Sequence, residues 1–236
     1  MELPADRKFD FVNGEILLID KPPGWTSFAV VRHLRNFICQ VSGVKKIRVG
    51  HAGTLDPMAT GLLIVCTGKA TKRISEFAAL DKTYNGTLML GASTPTYDGD
   101  SEPDHHYPIG HITPALLEKA RQSFIGTIDQ IPPVYSALKV AGKPAYSYAR
   151  KNIKVALTPR QVTIKRFEFI NIDMPTVDFI VECSKGTYIR SLVHDFGHRL
   201  SCGAYLASLT RTSIGNYRLQ DAHGIDEFKQ AVLAQL

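Results

Sequence analysis

In its N-terminal half the chain reads Gly50-His51-Ala52-Gly53-Thr54-Leu55-Asp56-Pro57-Met58-Ala59-Thr60-Gly61. This stretch places one carboxylate, Asp56, in a glycine-punctuated loop directly before the apolar run Leu62 to Cys66. Glycine permits backbone conformations that a β-carbon forbids, while Pro57 fixes its own φ and restricts the residue before it. An Asp-Pro pair in such a loop is typical of a turn. The same features also hold a carboxylate rigidly and let another molecule come close to it.

The composition is that of a folded globular chain, with 236 residues and 44% hydrophobic content. The longest apolar runs, Ile16 to Ile19 and Leu62 to Cys66, are far shorter than the ~20 residues that a membrane helix needs. Asp6 and Asp10 interrupt the N-terminus where a secretory signal would be apolar, so we expect a cytoplasmic location and no membrane partner. No Cys-x-x-Cys pair occurs among the four cysteines, which argues against a zinc knuckle or a disulfide framework.

The positive charge is concentrated in one segment. Between Gln130 and Phe167 there are eight basic residues and no acidic one, so the remainder carries 20 basic against 22 acidic groups. A run of charge is often only a solvated face, but this one also contains three tyrosines, a combination that suits phosphate contact and base stacking. We therefore predict an RNA-contacting arm over residues 126–158, with the RNA backbone bound by Lys139, Lys143, Arg150 and Lys151.

The hydrophobic pattern predicts alternating strands and helices without an internal repeat. Strands are expected at 15–19, 62–67, 83–90, 161–170, 177–183 and 204–212. One helix is expected to begin behind Ser27 as its N-cap, and further helices are expected at 71–79, 113–124 and 188–200. Residues 93–110 should form a long loop, and residues 126–158, which lack a clean period, should depend on a binding partner for order. The pattern indicates an α+β fold in which one mixed, mostly antiparallel sheet is flanked by helices, and a single domain over 1–236.

Five motifs together resemble the tRNA pseudouridine synthase B family, in that family's order and at similar spacing. They are the Asp56 stretch, Asp20-Lys21-Pro22, Lys82-Thr83-Tyr84, Gln130-Ile131-Pro132-Pro133-Val134-Tyr135-Ser136-Ala137-Leu138-Lys139 and Cys183-Ser184-Lys185-Gly186-Thr187-Tyr188-Ile189-Arg190. The resemblance covers about residues 14 to 217. It implies the pseudouridine synthase fold and an enzyme that isomerises uridine 55 in the T-loop of tRNA.

The resemblance also assigns roles to individual residues. It implies that Asp56 is the catalytic carboxylate, that Arg190 is its cationic partner, and that Tyr84 stacks on the flipped base. Further residues would bind the substrate, namely His51, Tyr188, Leu209 and Lys21, with Asp98 in a supporting position. The reaction needs no redox step, so no cofactor and no metal are expected, and the partner is the T-arm of tRNA without an obligate protein partner. Whether Asp56 attacks the sugar, adds to the base or removes a sugar proton stays open.

Three other motifs fail on inspection. Gly68-Lys69 lacks the first glycine and the Ser or Thr of a phosphate-binding loop. His194 and His198 have the spacing of a metalloprotease helix, but Asp195 replaces the glutamate. The acidic run from Asp98 to Asp104 lacks the closing glutamate of a calcium loop.

Two functions of different class remain. The first is the isomerase, and the alternative is a non-catalytic RNA-binding protein or tRNA-folding chaperone of the same fold. Paired carboxylates of a glycosidase are not indicated, since no second acidic loop accompanies Asp56. Only residues 221–236 follow the last predicted core strand and its turn, so we expect one short helix there and no C-terminal PUA domain.

Overall fold

The computed structural model describes residues 9–136, 138–149, 151, 153 and 155–235. Its strands are β1 (Ile16–Lys21), β2 (Val49–His51), β3 (Thr60–Thr67), β4 (Lys82–Leu90), β5 (Ala92–Ser93), β6 (His105–His106), β7 (Gly126–Gln130), β8 (Lys139–Val140), β9 (Lys143–Pro144), β10 (Arg160–Asp173), β11 (Thr176–Cys183), β12 (Ala204–Ile214) and β13 (Tyr217–Arg218). Its α-helices are α1 (Ser27–Ser42), α2 (Ile74–Ala79), α3 (Pro114–Gln122), α4 (Ala145–Ala149), α5 (Ile189–Arg199) and α6 (Ile225–Leu233), with short 3-10 helices at Gly68–Arg73 and Leu219–Asp221.

Among the residues that the structure describes, the central sheet contains nine strands. Its main order is β1-β3-β12-β4-β11-β10-β7, with β2 paired to β3 and β13 to β12. Strand β12 runs parallel to β3, whereas β1 pairs antiparallel with β3 and β10 pairs antiparallel with β11 and β7. The predicted α+β class with a mixed sheet is therefore confirmed.

The described chain divides into two compact units. One unit contains the described residues up to Tyr84 together with those from Leu209 onward, and the other is Asn85–Ser208. The boundaries fall inside β4 and β12, so each of these strands contributes residues to both units. An uninterrupted strand gives no composition signal at such a boundary.

The first unit is built around β3. Its residues Leu62 to Cys66 are all fully buried, because α1 and α6 cover one face of the strand and α2 covers the other. The helix α1 contributes Val30, Val31, Leu34 and Ile38, which recur at helical spacing and form its apolar stripe. A strand buried on both faces is a rigid support. The loop that carries Asp56 leads directly into it.

The second unit has an aromatic core. Phe167 of β10 makes edge-to-face contacts with Phe179 of β11 and Phe196 of α5, at ring-centroid distances of 5.7 and 5.9 Å. Such T-shaped contacts contribute beyond the area that they bury. They fix α5, and with it Arg190, against these two strands.

Two local predictions are corrected. The N-cap of α1 is Thr26 rather than Ser27, since the Thr26 side chain accepts a hydrogen bond from the Ala29 amide at 3.0 Å. The arm predicted over 126–158 begins later, because Gly126–Gln130 is strand β7 of the central sheet. Its described remainder includes the β8–β9 pair and α4.

The other elements agree with the prediction within a few residues. The helix α3 has Thr113 as N-cap and proline at its first position, as predicted. The long loop after Ala92–Ser93 is mostly irregular, with one short pair between β5 and β6. None of the helices that the structure describes is both long and apolar enough to span a membrane.

Candidate active site

Asp56 lies in a turn whose backbone is fixed from both sides. The Ala59 amide donates to the Asp56 carbonyl oxygen at 3.1 Å, so the Asp-Pro pair does form the turn that its sequence suggests. The residue before it, Leu55, is bonded twice to Ser27. The Leu55 amide donates to the Ser27 hydroxyl at 2.8 Å, and that hydroxyl donates to the Leu55 carbonyl at 3.1 Å. Ser27 and Leu55 are both buried, while Asp56 itself is half-buried. The carboxylate is thus held on a rigid backbone and remains accessible.

Lys21 ties the same turn to the end of β1. Its side chain is fully buried, and its ammonium donates to the carbonyl oxygens of Trp25, Pro22 and Pro57 at 2.6, 2.9 and 3.2 Å. Burial lowers the pKa of Lys21 to about 8, although the negative charge of Asp56 raises it in part. The sequence assigned Lys21 to substrate binding. A fully buried ammonium with three backbone partners supports the Asp56 turn, and the substrate-binding role stays a prediction.

Arg211 is a site residue that the sequence analysis missed. It is almost fully buried, and its guanidinium donates to the Leu62 carbonyl at 2.8 Å and to the Gly53 carbonyl at 3.0 Å, so it bridges the two ends of the Asp56 loop. The close approach also requires Gly61, whose φ is +98° and where a β-carbon would lie 2.4 Å from the Arg211 carbonyl oxygen. The available signal was alternation, since Leu209, Arg211 and Ser213 share the buried face of β12.

Three more predicted site residues belong to the first unit. Tyr84, in β4, is 7% exposed, and Leu209, in β12, is equally buried. His51 ends β2, and its buried Nδ1 makes no hydrogen bond within the described chain. Burial, and next the charge of Arg211, lower the pKa of His51, so the ring is neutral at pH 7. A neutral imidazole against RNA would act through packing and hydrogen bonding rather than charge.

Arg190 lies in the second unit as the second residue of α5, where the helix dipole disfavours a cation. Acceptors within the described chain compensate the charge of Arg190. Its Nε lies 3.4 Å from an Asp98 carboxylate oxygen, and its two terminal nitrogens donate to the carbonyls of Thr96 and Tyr135, both at 2.9 Å. Burial raises the pKa of Asp98, and the Thr96 hydroxyl and Arg190 oppose that rise. The supporting position predicted for Asp98 is therefore a direct contact with Arg190.

Tyr188 is held by its backbone. The Gln130 side chain accepts from the Tyr188 amide at 2.8 Å and donates to the Tyr188 carbonyl at 3.0 Å. Gln130 is fully buried at the end of β7, so it fixes the residue that precedes α5. Gln130 belongs to one of the five motifs, but its type alone did not indicate this task.

The basic arm is exposed where the structure describes it. Lys139, Lys143 and Lys151 all face solvent, as phosphate contact requires. Arg150, the fourth predicted backbone contact, lies outside the described residues.

Residues of the metalloprotease-like and calcium-loop-like motifs make contacts within the protein. The His194 ring stacks on Tyr97, with centroids 3.8 Å apart and planes 14° from parallel. Asp104 accepts a hydrogen bond from the Ser93 hydroxyl at 2.7 Å. No group of three or more His, Cys, Asp or Glu side chains in the described chain could hold a metal ion.

The first unit therefore presents a carboxylate on a turn fixed by Ser27, Lys21 and Arg211. The second unit presents an arginine fixed by Asp98 and by two carbonyls. Both are pre-organised, which is what electrostatic catalysis needs, because little free energy is then spent on reorganising the site during the reaction. The pairing of Asp56 with Arg190 stays a prediction.

Comparison with known proteins identifies the relatives of this chain. Residues 40–189 match the model of the TruB family pseudouridylate synthase N-terminal domain, and residues 190–235 match a tRNA pseudouridylate synthase B C-terminal domain. The tRNA pseudouridine synthase B of Phocaeicola vulgatus is 52% identical over 221 residues, 94% of each chain. That of Flavobacterium johnsoniae is 45% identical over 224 residues, 94% of this chain and 98% of the relative.

Solved structures agree on the fold. In a Cbf5-Nop10-Gar1 complex, one chain is 26% identical with a TM-score of 0.71, covering 93% of this chain and 54% of that chain. This chain thus spans about half the length of that protein. The C-terminal match covers α5 from Arg190 onward, together with β12 and α6. Because the family model matches residues 40–189 and a relative of that family is 52% identical over 94% of each chain, this chain belongs to the TruB family of pseudouridylate synthases.

Proposed function

We propose that this chain is a tRNA pseudouridine synthase that isomerises uridine 55 in the T-loop of tRNA, with Asp56 as the catalytic carboxylate. The observation that carries the proposal is the fixed Asp56 turn, in which Ser27, Lys21 and Arg211 all bond to backbone on either side of one half-buried carboxylate. The names of the relatives support the substrate class, since proteins 45–52% identical over nearly the whole chain are called tRNA pseudouridine synthase B.

The reaction is an isomerisation. The glycosidic bond between N1 and C1′ of the uridine breaks, the base turns, and a carbon–carbon bond forms between C5 and C1′. The proton on C5 is lost and N1 gains one, so no oxidant, reductant or external energy source is required. A uridine in a folded loop is stacked, so it must be flipped out before a carboxylate can reach its sugar or its base. Asp56 then acts as the nucleophile at one of these positions.

The other predicted site residues would support the flipped nucleotide. Tyr84 offers a ring for stacking, Tyr188 and Leu209 offer pocket walls, and His51 offers a neutral ring to the RNA from which the base has left. Arg190 would keep Asp56 ionised in a site that excludes water, because burial alone raises the pKa of a carboxylate. The four cysteines are free thiols, which fits a cytoplasmic enzyme acting on tRNA.

The test is to incubate the protein with unmodified tRNA and with a T-arm hairpin, and to map pseudouridine nucleotide by nucleotide. We expect conversion at uridine 55 alone, and none with Asp56→Asn, which should still bind tRNA within about tenfold of wild type because phosphate contacts supply most of the affinity. Asp226→Asn removes an exposed carboxylate of the first unit and is the matched control.

Three results would contradict the proposal. Conversion by Asp56→Asn above a few per cent of wild type would exclude Asp56 as the nucleophile. Pseudouridine at another position would exclude the T-loop as substrate. Tight tRNA binding by the wild-type protein without any conversion would favour the non-catalytic RNA-binding protein.

A further inference from the structure

A second segment of the chain is as one-sidedly basic as the arm. From Lys21 to Leu55 there are six Lys and Arg residues and no Asp or Glu. Of the 28 basic residues, six lie here and eight lie in the segment from Gln130 to Phe167, which leaves 14 for the rest of the chain against all 22 acidic residues. The positive surface charge therefore has two sources, and only one of them is the arm.

Five of these six cations are exposed, and none of the five forms an ion pair with a residue that the structure describes. Lys21 is buried, whereas the others face solvent: Arg32, Arg35, Lys45, Lys46 and Arg48. Some other surface cations do form short-range pairs, namely Arg73–Glu76, Arg121–Glu118, Arg166–Glu168 and Lys229–Asp226. An unpaired cluster of like charge repels itself in the free protein, so an anionic partner would stabilise it.

The exposed side of α1 orders part of this charge into a line. Phe28, Arg32 and Arg35 recur at i, i+4 and i+7, opposite the apolar stripe that packs on the core. Phe28 is 66% exposed, an unusual position for a large aromatic ring in a helix with a complete buried face. The helix ends at Gly43 in a left-handed conformation, and Lys45, Lys46 and Arg48 follow in the loop that leads to β2.

A groove at the start of α1 joins this line to the Asp56 turn. It has a volume of about 680 Å³ and is lined by Gly24, Trp25, Thr26, Ala29, Arg32, His33 and Asn36. The first turn of the helix contains no acidic residue that would oppose an anion. The Gly24 amide donates to the Pro57 carbonyl at 2.9 Å, so the wall of the groove is bonded to the residue after Asp56.

We propose that the α1 surface, comprising Phe28, Arg32, Arg35, Lys45, Lys46 and Arg48, is a second tRNA-binding surface that contacts phosphates outside the target loop. The proposal rests on the proposed function, because the adjacency to the Asp56 turn argues for RNA rather than another polyanion. A strand whose nucleotide occupies the Asp56 site carries further phosphates on each side, and cations at this position neutralise them. Phe28 lies against a base or ribose of the same RNA, since stacking on an aromatic ring is independent of sequence.

The experiment measures the dissociation constant of unmodified full-length tRNA over a series of salt concentrations. Arg32→Gln/Arg35→Gln should weaken binding about tenfold at low salt and lower the slope of log K against log salt by about 0.7–0.9 for each phosphate that is no longer neutralised. Lys45→Gln/Lys46→Gln should act in the same direction. The matched control, Lys119→Gln/Arg199→Gln, removes two exposed cations from α3 and α5 and should leave the slope unchanged.

Two further variants separate charge, stacking and folding. Arg32→Lys/Arg35→Lys keeps the charge and should bind tRNA like wild type, so a weakening in the Gln variant that Lys restores is electrostatic. Phe28→Ala should weaken binding with an unchanged salt slope, because a stacked ring releases no counterions. If both Gln double variants bind with the wild-type constant and slope, the α1 surface is only a solvated face and the inference is wrong. That result would leave the proposed function intact, since pseudouridine mapping tests it separately.

Discussion

The hydroxyl of Ser27 bonds to both the amide and the carbonyl of Leu55, the residue immediately before Asp56, at 2.8 and 3.1 Å. One small side chain at the start of α1 therefore fixes the backbone of the Asp56 turn from 28 residues away. Because both partners are buried, no water can replace the hydroxyl without entering the core.

We expect Ser27→Ala to leave two buried backbone groups of Leu55 unsatisfied and to lower the free energy of unfolding by about 1–3 kcal/mol. Turnover should fall more than tRNA affinity, because the carboxylate is displaced while the RNA phosphates are still bound. Thr26→Ala is the control, since it removes only the α1 cap and costs about 1 kcal/mol. Equal turnover in the two variants at equal stability would contradict a positioning role for Ser27.

Lys21 predicts a specific dependence of stability on pH. Its folded pKa of about 8 lies below the ordinary value of 10.5, so between these values the unfolded chain binds a proton that the native protein does not. The free energy of unfolding should therefore rise with pH from about 8 to about 10.5, by about 3 kcal/mol in total relative to Lys21→Met, which has no titrating group. Denaturant unfolding of both proteins across this range measures the difference. A constant difference would mean that the ammonium is not desolvated.

Asp98 should matter to stability and to turnover, because it is the carboxylate that contacts the buried Arg190. Asp98→Ala removes a buried carboxylate that lies 3.4 Å from Arg190 Nε and should cost about 3–5 kcal/mol. Asp98→Asn can still accept the Thr96 bond and should fold, with turnover at least tenfold below wild type. Glu118→Gln, which breaks the surface pair with Arg121, is the control and should change stability by less than about 1 kcal/mol. Wild-type turnover in Asp98→Asn would remove the Asp98–Arg190 pair from the catalytic site.

The basic arm is tested in the same way as the α1 surface, by measuring how charge-removing substitutions change tRNA affinity and its dependence on salt. Replacing Lys139, Lys143, Arg150 and Lys151 with Gln should weaken tRNA binding, and the salt slope should fall by about 0.7–0.9 for each phosphate that these side chains neutralise in the wild-type complex. The melting temperature should change little, since the three described lysines are exposed. An unchanged slope in the fourfold variant would place the RNA elsewhere.

The sequence alone was enough to predict most of the regular elements. Strand β4 alternates Tyr84, Leu88 and Leu90 on its buried face, and α3 begins at Thr113-Pro114, because periodicity and caps are local signals. The sequence did not predict the N-cap of α1 correctly, because Thr26 and Ser27 are adjacent residues that can both cap a helix. Which of them does so depends on Leu55, a partner distant in the chain.

The candidate site likewise has some features that local sequence predicts and others that depend on residues distant in the chain. The motif around Asp56 is contiguous, so residue order was sufficient to single out the carboxylate and the turn that carries it. Arg211 and Gln130 were not predicted to hold the site, because their acceptors lie 149 and 58 residues away and only the paired strands bring them within hydrogen-bond distance. Lys21 was predicted to bind the substrate, and its burial among three carbonyls of the turn and of the end of β1 is visible only in the tertiary structure. The sequence singled out Asp56 as the candidate carboxylate, and tertiary structure decided which buried cations and amides hold its turn, because desolvation and partner choice exist only once the chain is packed.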